Sequence, residues 1–341
     1  MKAAAIKGQK LIEVTDIEEP QRDGKTVICD VKRAGICGSD IHYWDAGAPE
    51  GLVMGHEFSG VVVDPGDRDD LKMGDRVTAV PISPCGKCAA CKTGNPQYCL
   101  ETWNDALGLA LTNPGAYAPR TGIRSDMVIK LPNNVNDDEA AMVEPTAVGL
   151  HAIHLADIKV GSKVLIIGGG IIGLVSAMFA KMEGASYVAI SETNEGRGSK
   201  AVKYGVADEY LNPTKEDFMA KVMEKTGLGF DYVIECCGND AAVSSAIMTC
   251  RPGGKVVLVG VSMQPISIPS MVGVIHEIEI QGAIAYTIEE FQTVIDLIAA
   301  KKIDVMKFVD KVVKLSETND AFVELTSGTS DSVKILINPQ I

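Results

Sequence analysis

A chain of 341 residues exceeds what one hydrophobic core usually serves, so two domains are expected. Its 46% hydrophobic and 23% charged residues are those of an ordinary globular protein, which excludes disorder and fibrous architecture. With 32 basic and 45 acidic residues the formal net charge is -13, which repels phosphate backbones and anionic lipid and excludes nucleic acid and membrane as partners.

The first segment, MKAAAIKGQKLIEV, breaks its apolar run with Lys7 and Lys10. It lacks the unbroken apolar stretch of a secretory signal, and a cytoplasmic location is expected. In the part that follows, KTVICDVKRAG, FSGVVVDPGD and DRVTAVPISP alternate apolar and polar residues between Gly, Pro and Asp punctuation. That predicts short strands in an irregular, β-rich domain. From Lys159 the pattern changes to KVLIIGGG, a helix through Lys181, YVAIS, a helix over GSKAVKYG, FDYVIECCG, another helix and KVVLVG. Such alternation predicts parallel strands with helical crossovers, a doubly wound α/β fold. Beyond it EIEIQGAIAY reads as a strand, and IEEFQTVIDLIAAKK as a helix with Phe291, Val294, Ile295, Leu297 and Ile298 on one face. DSVKILINP is a last strand, and no repeat or low-complexity tract interrupts the chain.

From Val164 to Ala180 no charge occurs across 17 residues. At about 1.5 Å per residue that spans roughly 25 Å, short of a bilayer core. Three consecutive glycines inside it favour a buried strand, turn and helix. Gly168, Gly170 and Gly173, with Ile171 and Ile172 between the last two, have G-x-G-x-x-G spacing. The triplet follows an apolar strand and opens a helix, the context in which it marks a Rossmann dinucleotide site: a tight turn, close approach of the pyrophosphate, and close helix packing. The next strand ends at Glu192, where an acid accepts hydrogen bonds from ribose hydroxyls and repels a 2'-phosphate, so NAD is expected. Arg197 nearby is either an aid to NADP or an ordinary solvated charge.

Cys85, Cys88, Cys91 and Cys99 have C-x2-C-x2-C-x7-C spacing. Four thiolates on short loops suit a structural zinc ion; an Fe-S cluster is the chemical alternative, and two disulfides are disfavoured by such close spacing and by a reducing compartment. Cys29, Cys236, Cys237 and Cys250 lack ligand spacing and read as buried small apolar residues. A second set of metal-competent residues is scattered: Cys37 in GICGSDIH, His56 and Glu57 in MGHEFSG, and Glu144 in MVEP. A catalytic zinc needs three protein ligands and one exchangeable position, and Cys, His and Glu all qualify.

GICGSDIH, GHEFSG, the four-cysteine loop, VEP and the glycine motif occur in the order seen in zinc-containing medium-chain alcohol dehydrogenases, and the likeness spans nearly the whole chain. It looks closest to the sorbitol, butanediol and threonine dehydrogenase branch. The resemblance implies a GroES-like catalytic domain over 1–148 and 287–341 and a Rossmann domain over 149–286. It implies Cys37 and His56 as ligands of a catalytic zinc, with Glu57 or Glu144 completing the set. It also implies that Ser39 contacts the substrate oxygen and His42 passes the proton outward. This is chemically sensible, since zinc lowers the pKa of the alcohol, the serine hydroxyl relays the proton and a histidine titrates near neutrality. Asp40 is expected to orient a metal-binding histidine.

The expected activity is hydride transfer between a secondary alcohol and NAD, giving a ketone, in a homodimer or homotetramer. The alternatives are a dehydrogenase of a bulkier hydrophobic alcohol such as a hydroxysteroid, and a non-catalytic NAD-binding homologue. Loss of Cys37 or His56 would have favoured the last, and both are present. The sorbitol-type enzymes carry an Arg-Tyr pair where this chain has Ala285 and Tyr286, which removes a donor for a polyol hydroxyl. PGAYAPRTG departs from the family's usual pattern at Pro119 and Arg120, and WDAGAPEGLVMGHE is shorter than in most relatives. Both suggest a reshaped, less polar pocket.

Overall fold

A computed structural model describes residues 1–341, which divide into two compact units. The first comprises Met1–Pro145, Tyr286–Ser327 and Lys334–Ile341; the second comprises Thr146–Ala285 and Gly328–Val333.

In chain order the first stretch contributes β1 (Lys2–Gly8), β2 (Leu11–Asp16), β3 (Thr26–Gly35), α1 (Gly38–Ala46), β4 (Glu57–Asp64), β5 (Arg76–Ala79), α2 (Ala89–Lys92), β6 (Arg120–Arg124), β7 (Val128–Lys130), α3 (Asp137–Ala141) and α4 (Val143–Ala156). The central stretch contributes β8 (Lys163–Ile167), α5 (Ile171–Met182), β9 (Tyr187–Ser191), α6 (Glu195–Lys203), β10 (Glu209–Leu211), α7 (Phe218–Thr226), β11 (Phe230–Glu235), α8 (Asp240–Thr249), β12 (Cys250–Leu258), α9 (Ser270–Ile275) and β13 (Glu279–Gly282). The last elements are α10 (Ile288–Ala299), β14 (Lys311–Lys314), α11 (Thr318–Thr326) and β15 (Ile335–Asn338).

In the first unit a seven-stranded sheet runs β14-β15-β3-β4-β5-β7, with β6 on β3, and β1 and β2 form a separate hairpin. The antiparallel registers matter for the site. Gly35 at the end of β3 pairs with Glu57 on one side and with Leu336 of β15 on the other. Residues far apart in sequence, Glu57 and Lys334, therefore meet at Gly35. A Cβ on Gly35 would overlap the Glu57 carboxylate and touch Lys334 Cε at 2.9 Å, so this close approach requires glycine. Val27, Val31, Phe58, Val62, Tyr117, Phe322 and Ile335 lie in the core beneath the sheet.

In the second unit six parallel strands run β10-β9-β8-β11-β12-β13. Counted from β8 this is the order 3-2-1-4-5-6 of a dinucleotide-binding sheet, whose switch point lies between β8 and β11. Both faces are covered, so the strands read as near-continuous apolar runs: Val164, Leu165, Ile166 and Ile167 are all buried. The unit has its own core, including Leu165, Ala189, Phe230, Val233 and Val256.

The observed division places 146–148 and 328–333 in the second unit and Tyr286 in the first, unlike the boundaries expected from sequence. The short segment 328–333 joins the second unit through polar contacts. Asn194 Nδ2 donates to the carbonyls of Gly328 and Ser330, each at 3.2 Å, and Lys200 Nζ donates to that of Asp331 at 2.7 Å. Such side-chain contacts leave no periodic signal.

Candidate metal and dinucleotide sites

The four-cysteine loop folds on itself. Cys88 stands at the N-terminus of α2, Cys91 lies within it, and a tight turn at Pro96–Tyr98 returns the chain to Cys99. All four Sγ atoms lie within 4.8 Å of one another. A tetrahedral zinc with bonds of about 2.3 Å sets sulfur atoms about 3.8 Å apart. The Cys88 and Cys91 sulfurs are 3.5 Å apart, too far for a disulfide, and all nine cysteines are free thiols. Backbone N–H groups already point at sulfur: Cys85 N donates to Cys99 Sγ at 3.4 Å and Cys88 N to Cys85 Sγ at 3.3 Å. The N–H of Cys85 brings the Cys99 thiol down to about 6, while burial pushes Cys91 up to about 11. Four thiolates this close repel one another unless a cation neutralises them, and the donor set fits one zinc ion with no position left open.

The second candidate centre is assembled from separate elements of the first unit. Cys37 caps the N-terminus of α1. Ser39 and His42, three residues apart on α1, share a helix face, and His42 is exposed. His56 precedes β4 and is 4% exposed. Its Nε2 lies 3.5 Å from Ser39 Oγ, and its Nδ1 lies 3.5 Å from Asp40 Oδ1. Asp40 is fully buried, and its Oδ2 accepts the Cys37 N–H at 3.1 Å. One carboxylate thus touches the elements that carry both Cys37 and His56. Burial disfavours a charged imidazole, yet the Asp40 carboxylate and the Cys37 sulfur hold His56 well above its ordinary pKa. A pocket that favours positive charge on a buried imidazole also favours a bound cation, and thiolate, imidazole and carboxylate suit zinc.

The two glutamates have different partners. Glu57, completely buried, pairs with Lys334 Nζ through Oε2; Lys334 Nζ also donates to Ile36 O at 2.8 Å. Glu57 Oε1 is buried without a partner. Glu144, in the first turn of α4, accepts a hydrogen bond at 2.9 Å from the Tyr286 hydroxyl, a neutral donor. Burial raises its carboxyl to about 7. Glu57 therefore is in direct contact with a cation, whereas the direct partner of Glu144 is a neutral phenol. Lys334 and Tyr117, whose hydroxyl donates to Asp40 Oδ2 at 2.6 Å, were not singled out from sequence. The first had a signal in the lysine that interrupts the apolar DSVKILINP, and the second had none.

In the second unit the glycine motif sits at the end of β8. Gly168 has φ +105°, a conformation that favours glycine, and a Cβ there would lie 2.8 Å from Cys237 Sγ. A Cβ on Gly173 would run into the Gly168 carbonyl, while one on Gly170, the N-cap of α5, would face open space. The three positions thus serve the turn, helix packing and ligand approach respectively. Ile171 and Ile172 open α5. Glu192 is 7% exposed; its Oε2 accepts the Gly169 N–H and its Oε1 the Asn194 N–H, each at 2.7 Å. Burial opposes its charge, but those N–H groups and Arg197, 3.3 Å away, hold its pKa below the ordinary value. Arg197 is therefore engaged with Glu192 and is not a free surface cation. One cysteine expectation fails: Cys29 and Cys250 are buried and Cys236 partly so, but Cys237 is exposed at the turn beside Gly168. It lies in the loop two residues past the end of β11, where apolar spacing gives no guide.

Residues 23–133 match the alcohol dehydrogenase GroES-like domain and residues 172–300 the zinc-binding dehydrogenase family. The chain is 32% identical to D-xylulose reductase A of Aspergillus oryzae over 97% of its own length and 95% of the relative's. It is 31% identical to sorbitol dehydrogenase of Bacillus subtilis over 99% and 97%. The crystal structure of 2R,3R-butanediol dehydrogenase from Bacillus subtilis superposes with a TM-score of 0.86 at 30% identity, covering 99% of each chain. The chain belongs to the zinc-dependent medium-chain alcohol dehydrogenases. It is an oxidoreductase that requires zinc and a nicotinamide cofactor, built from a GroES-like domain and a Rossmann domain. No helix is long and apolar enough to cross a membrane.

Proposed function

We propose that the protein interconverts a secondary hydroxyl of a short polyol or vicinal diol and the corresponding ketone, with NAD as hydride acceptor. The observation that carries the proposal is full-length similarity to enzymes named for xylulose, sorbitol and butanediol, joined to Cys37, His56 and two buried glutamates in one unit and a glycine motif in the other. Ala285 in place of a cation favours a diol over a long polyol.

Cys37, His56 and a glutamate would hold the catalytic zinc, which would supply the Lewis acidity that lowers the pKa of the alcohol, and NAD would supply the hydride acceptor. Ser39 accepts the hydroxyl proton of the substrate, and His42, one turn along α1 and exposed, passes it to solvent. Asp40 orients the His56 imidazole. Glu144 is the glutamate offered to the metal, because Glu57 is neutralised by Lys334. Cys85, Cys88, Cys91 and Cys99 hold the structural ion. Glu192 disfavours a 2'-phosphate, which sets the preference for NAD over NADP.

We also propose a homo-oligomer joined through β13. This edge strand and the chain on either side of it expose Met263, Met271, Val274, Ile275, Ile280 and Ile284, each at 40% or more, beside unpaired backbone groups that a second copy of the strand would satisfy.

The test is absorbance at 340 nm with NAD or NADP and a panel of primary alcohols, vicinal diols, polyols, threonine and sterols, before and after chelation. Turnover of diols or polyols with NAD, abolished by chelation and restored by zinc, is expected. Turnover of sterols alone, or equal efficiency with NADP, rejects the substrate or the cofactor assignment respectively.

A further inference from the structure

The buried polar groups around the candidate catalytic centre include one that no step above uses, the phenol of Tyr117. Its ring is fixed by packing. The Tyr117 N–H donates to Met54 O at 2.9 Å, in the loop that carries His56. A Cβ on Gly55 would lie 2.6 Å from the ring, and Phe322 meets the ring edge-to-face at 6.2 Å. Held in this way, the hydroxyl has two acceptors in reach, Asp40 Oδ2 at 2.6 Å and Gly35 O at 3.2 Å. A phenol has one proton, and the shorter contact to a carboxylate takes it.

We infer that Tyr117 is a positioning residue for the metal centre: its O–H, together with the Cys37 N–H, occupies Asp40 Oδ2 and so holds Oδ1 for His56 Nδ1. The inference rests on the assignment of Cys37 and His56 as zinc ligands. Asp40 Oδ1 and His56 Nδ1 are both buried, stand 3.5 Å apart and have no other partner. A small rotation of the imidazole closes that gap into a hydrogen bond, leaving Nε2 as the ligand atom. Without the phenol, Asp40 Oδ2 keeps only the longer bond from the Cys37 N–H, and the imidazole has a less firmly fixed reference. Such outer partners of a ligating histidine are worth about 10–100-fold in metal affinity.

Tyr117→Phe keeps the ring and removes only the hydroxyl. In the full-length protein, titration against a fluorescent chelator separates the two zinc ions by affinity. The expected result is that the weaker, catalytic ion is released about 10–100-fold more readily while the four-cysteine ion is unchanged. The visible bands of the cobalt-substituted catalytic site should shift as well. If Tyr117 acts through Asp40, adding Tyr117→Phe to Asp40→Asn changes zinc affinity by less than about twofold. Additive losses in that double variant, or wild-type affinity and cobalt spectrum in Tyr117→Phe, overturn the inference. Should Tyr117→Phe not fold, 3-fluorotyrosine at position 117 retains the hydroxyl and changes its acidity, and an unchanged cobalt spectrum then overturns it. A wild-type protein that binds only one zinc per chain fails differently, by removing the catalytic metal site itself.

Discussion

The two candidate zinc sites of the first unit are built in opposite ways. The cysteine loop draws all four donors from the 15 residues between Cys85 and Cys99, and its backbone N–H groups already bond to sulfur. The other centre draws on α1, the start of β4 and the first turn of α4, with Lys334 brought in beside β15 through sheet register. The first is closed and saturated. The second carries buried charges that are only partly satisfied, including Glu57 Oε1 and Asp40 Oδ1 without partners. A structural ion needs only a geometry that local sequence can close, whereas a catalytic ion needs an open position and charges that respond to substrate, which takes a whole fold to hold.

The largest effects fall on the open centre. Cys37→Ser or His56→Ala should abolish turnover and lower zinc from two ions per chain to one, as read by metal analysis. NAD affinity, measured by quenching of protein fluorescence or by calorimetry, should stay within about twofold, because the glycine motif belongs to the other unit. Retention of both ions in either variant would break the comparison at its base. Ser39→Ala should keep both ions and lower kcat by roughly 10² to 10⁴, the usual size of a general acid-base contribution. Loss of zinc in that variant would make Ser39 part of the metal site and not of the relay.

The glutamates sharpen the contrast further. Glu144→Gln should weaken retention of the catalytic ion more than Glu57→Gln, because Lys334 already neutralises Glu57 while only a neutral phenol meets Glu144. The reverse order in chelator titrations would assign the ligand to Glu57. For the closed site, Cys91→Ser should leave the structural ion held by three thiolates and more weakly, with the chemistry of the remaining folded protein intact. Structural zinc sites supply apparent binding energies of about 10–16 kcal/mol. Losing a quarter of that lowers Tm by roughly 5–15 °C, at about 2–4 °C per kcal/mol in domains of this size. A scanning calorimetry trace identical to wild type would deny the loop a structural role.

How much of this was legible in the sequence follows from the same contrast. Cys85, Cys88, Cys91 and Cys99 could be assigned by spacing, and Gly168, Gly170 and Gly173 by spacing plus the strand and helix around them. The periodic face of α10 likewise reads into burial, with Phe291, Val294, Ile295 and Ile298 inside and Leu297 only partly covered at its edge. Cys37, His56, Glu57 and Glu144 have no common spacing, and only resemblance to a family grouped them. Lys334 lies 277 residues from Glu57, and their pairing is a product of β3, β4 and β15 register that no local pattern encodes. Tyr117 reads as one more core aromatic. The hairpin of β1 and β2 was hidden by the lysines that interrupt its apolar run, and segment 328–333 by contacts that are polar and aperiodic.

The smallest effect is expected at His42, and it tests whether the open centre has a proton exit that the closed site lacks. His42 lies one helical turn beyond Ser39 on α1 and is exposed, so its outer side meets water. A group in that position does not touch the reacting carbon or the metal. It shortens the path by which a proton leaves, and ordered water can take its place. His42→Ala should therefore lower kcat by less than about tenfold near neutral pH, well below the 10²-fold floor expected for a group that transfers the proton directly. The loss should shrink as pH rises, since hydroxide and basic buffer accept the proton that the imidazole no longer carries. Added imidazole should restore part of the rate in the variant and leave the wild type unchanged. If the defect is independent of pH and is not rescued by imidazole, His42 serves packing or cofactor binding, and the proton leaves from Ser39 by another route.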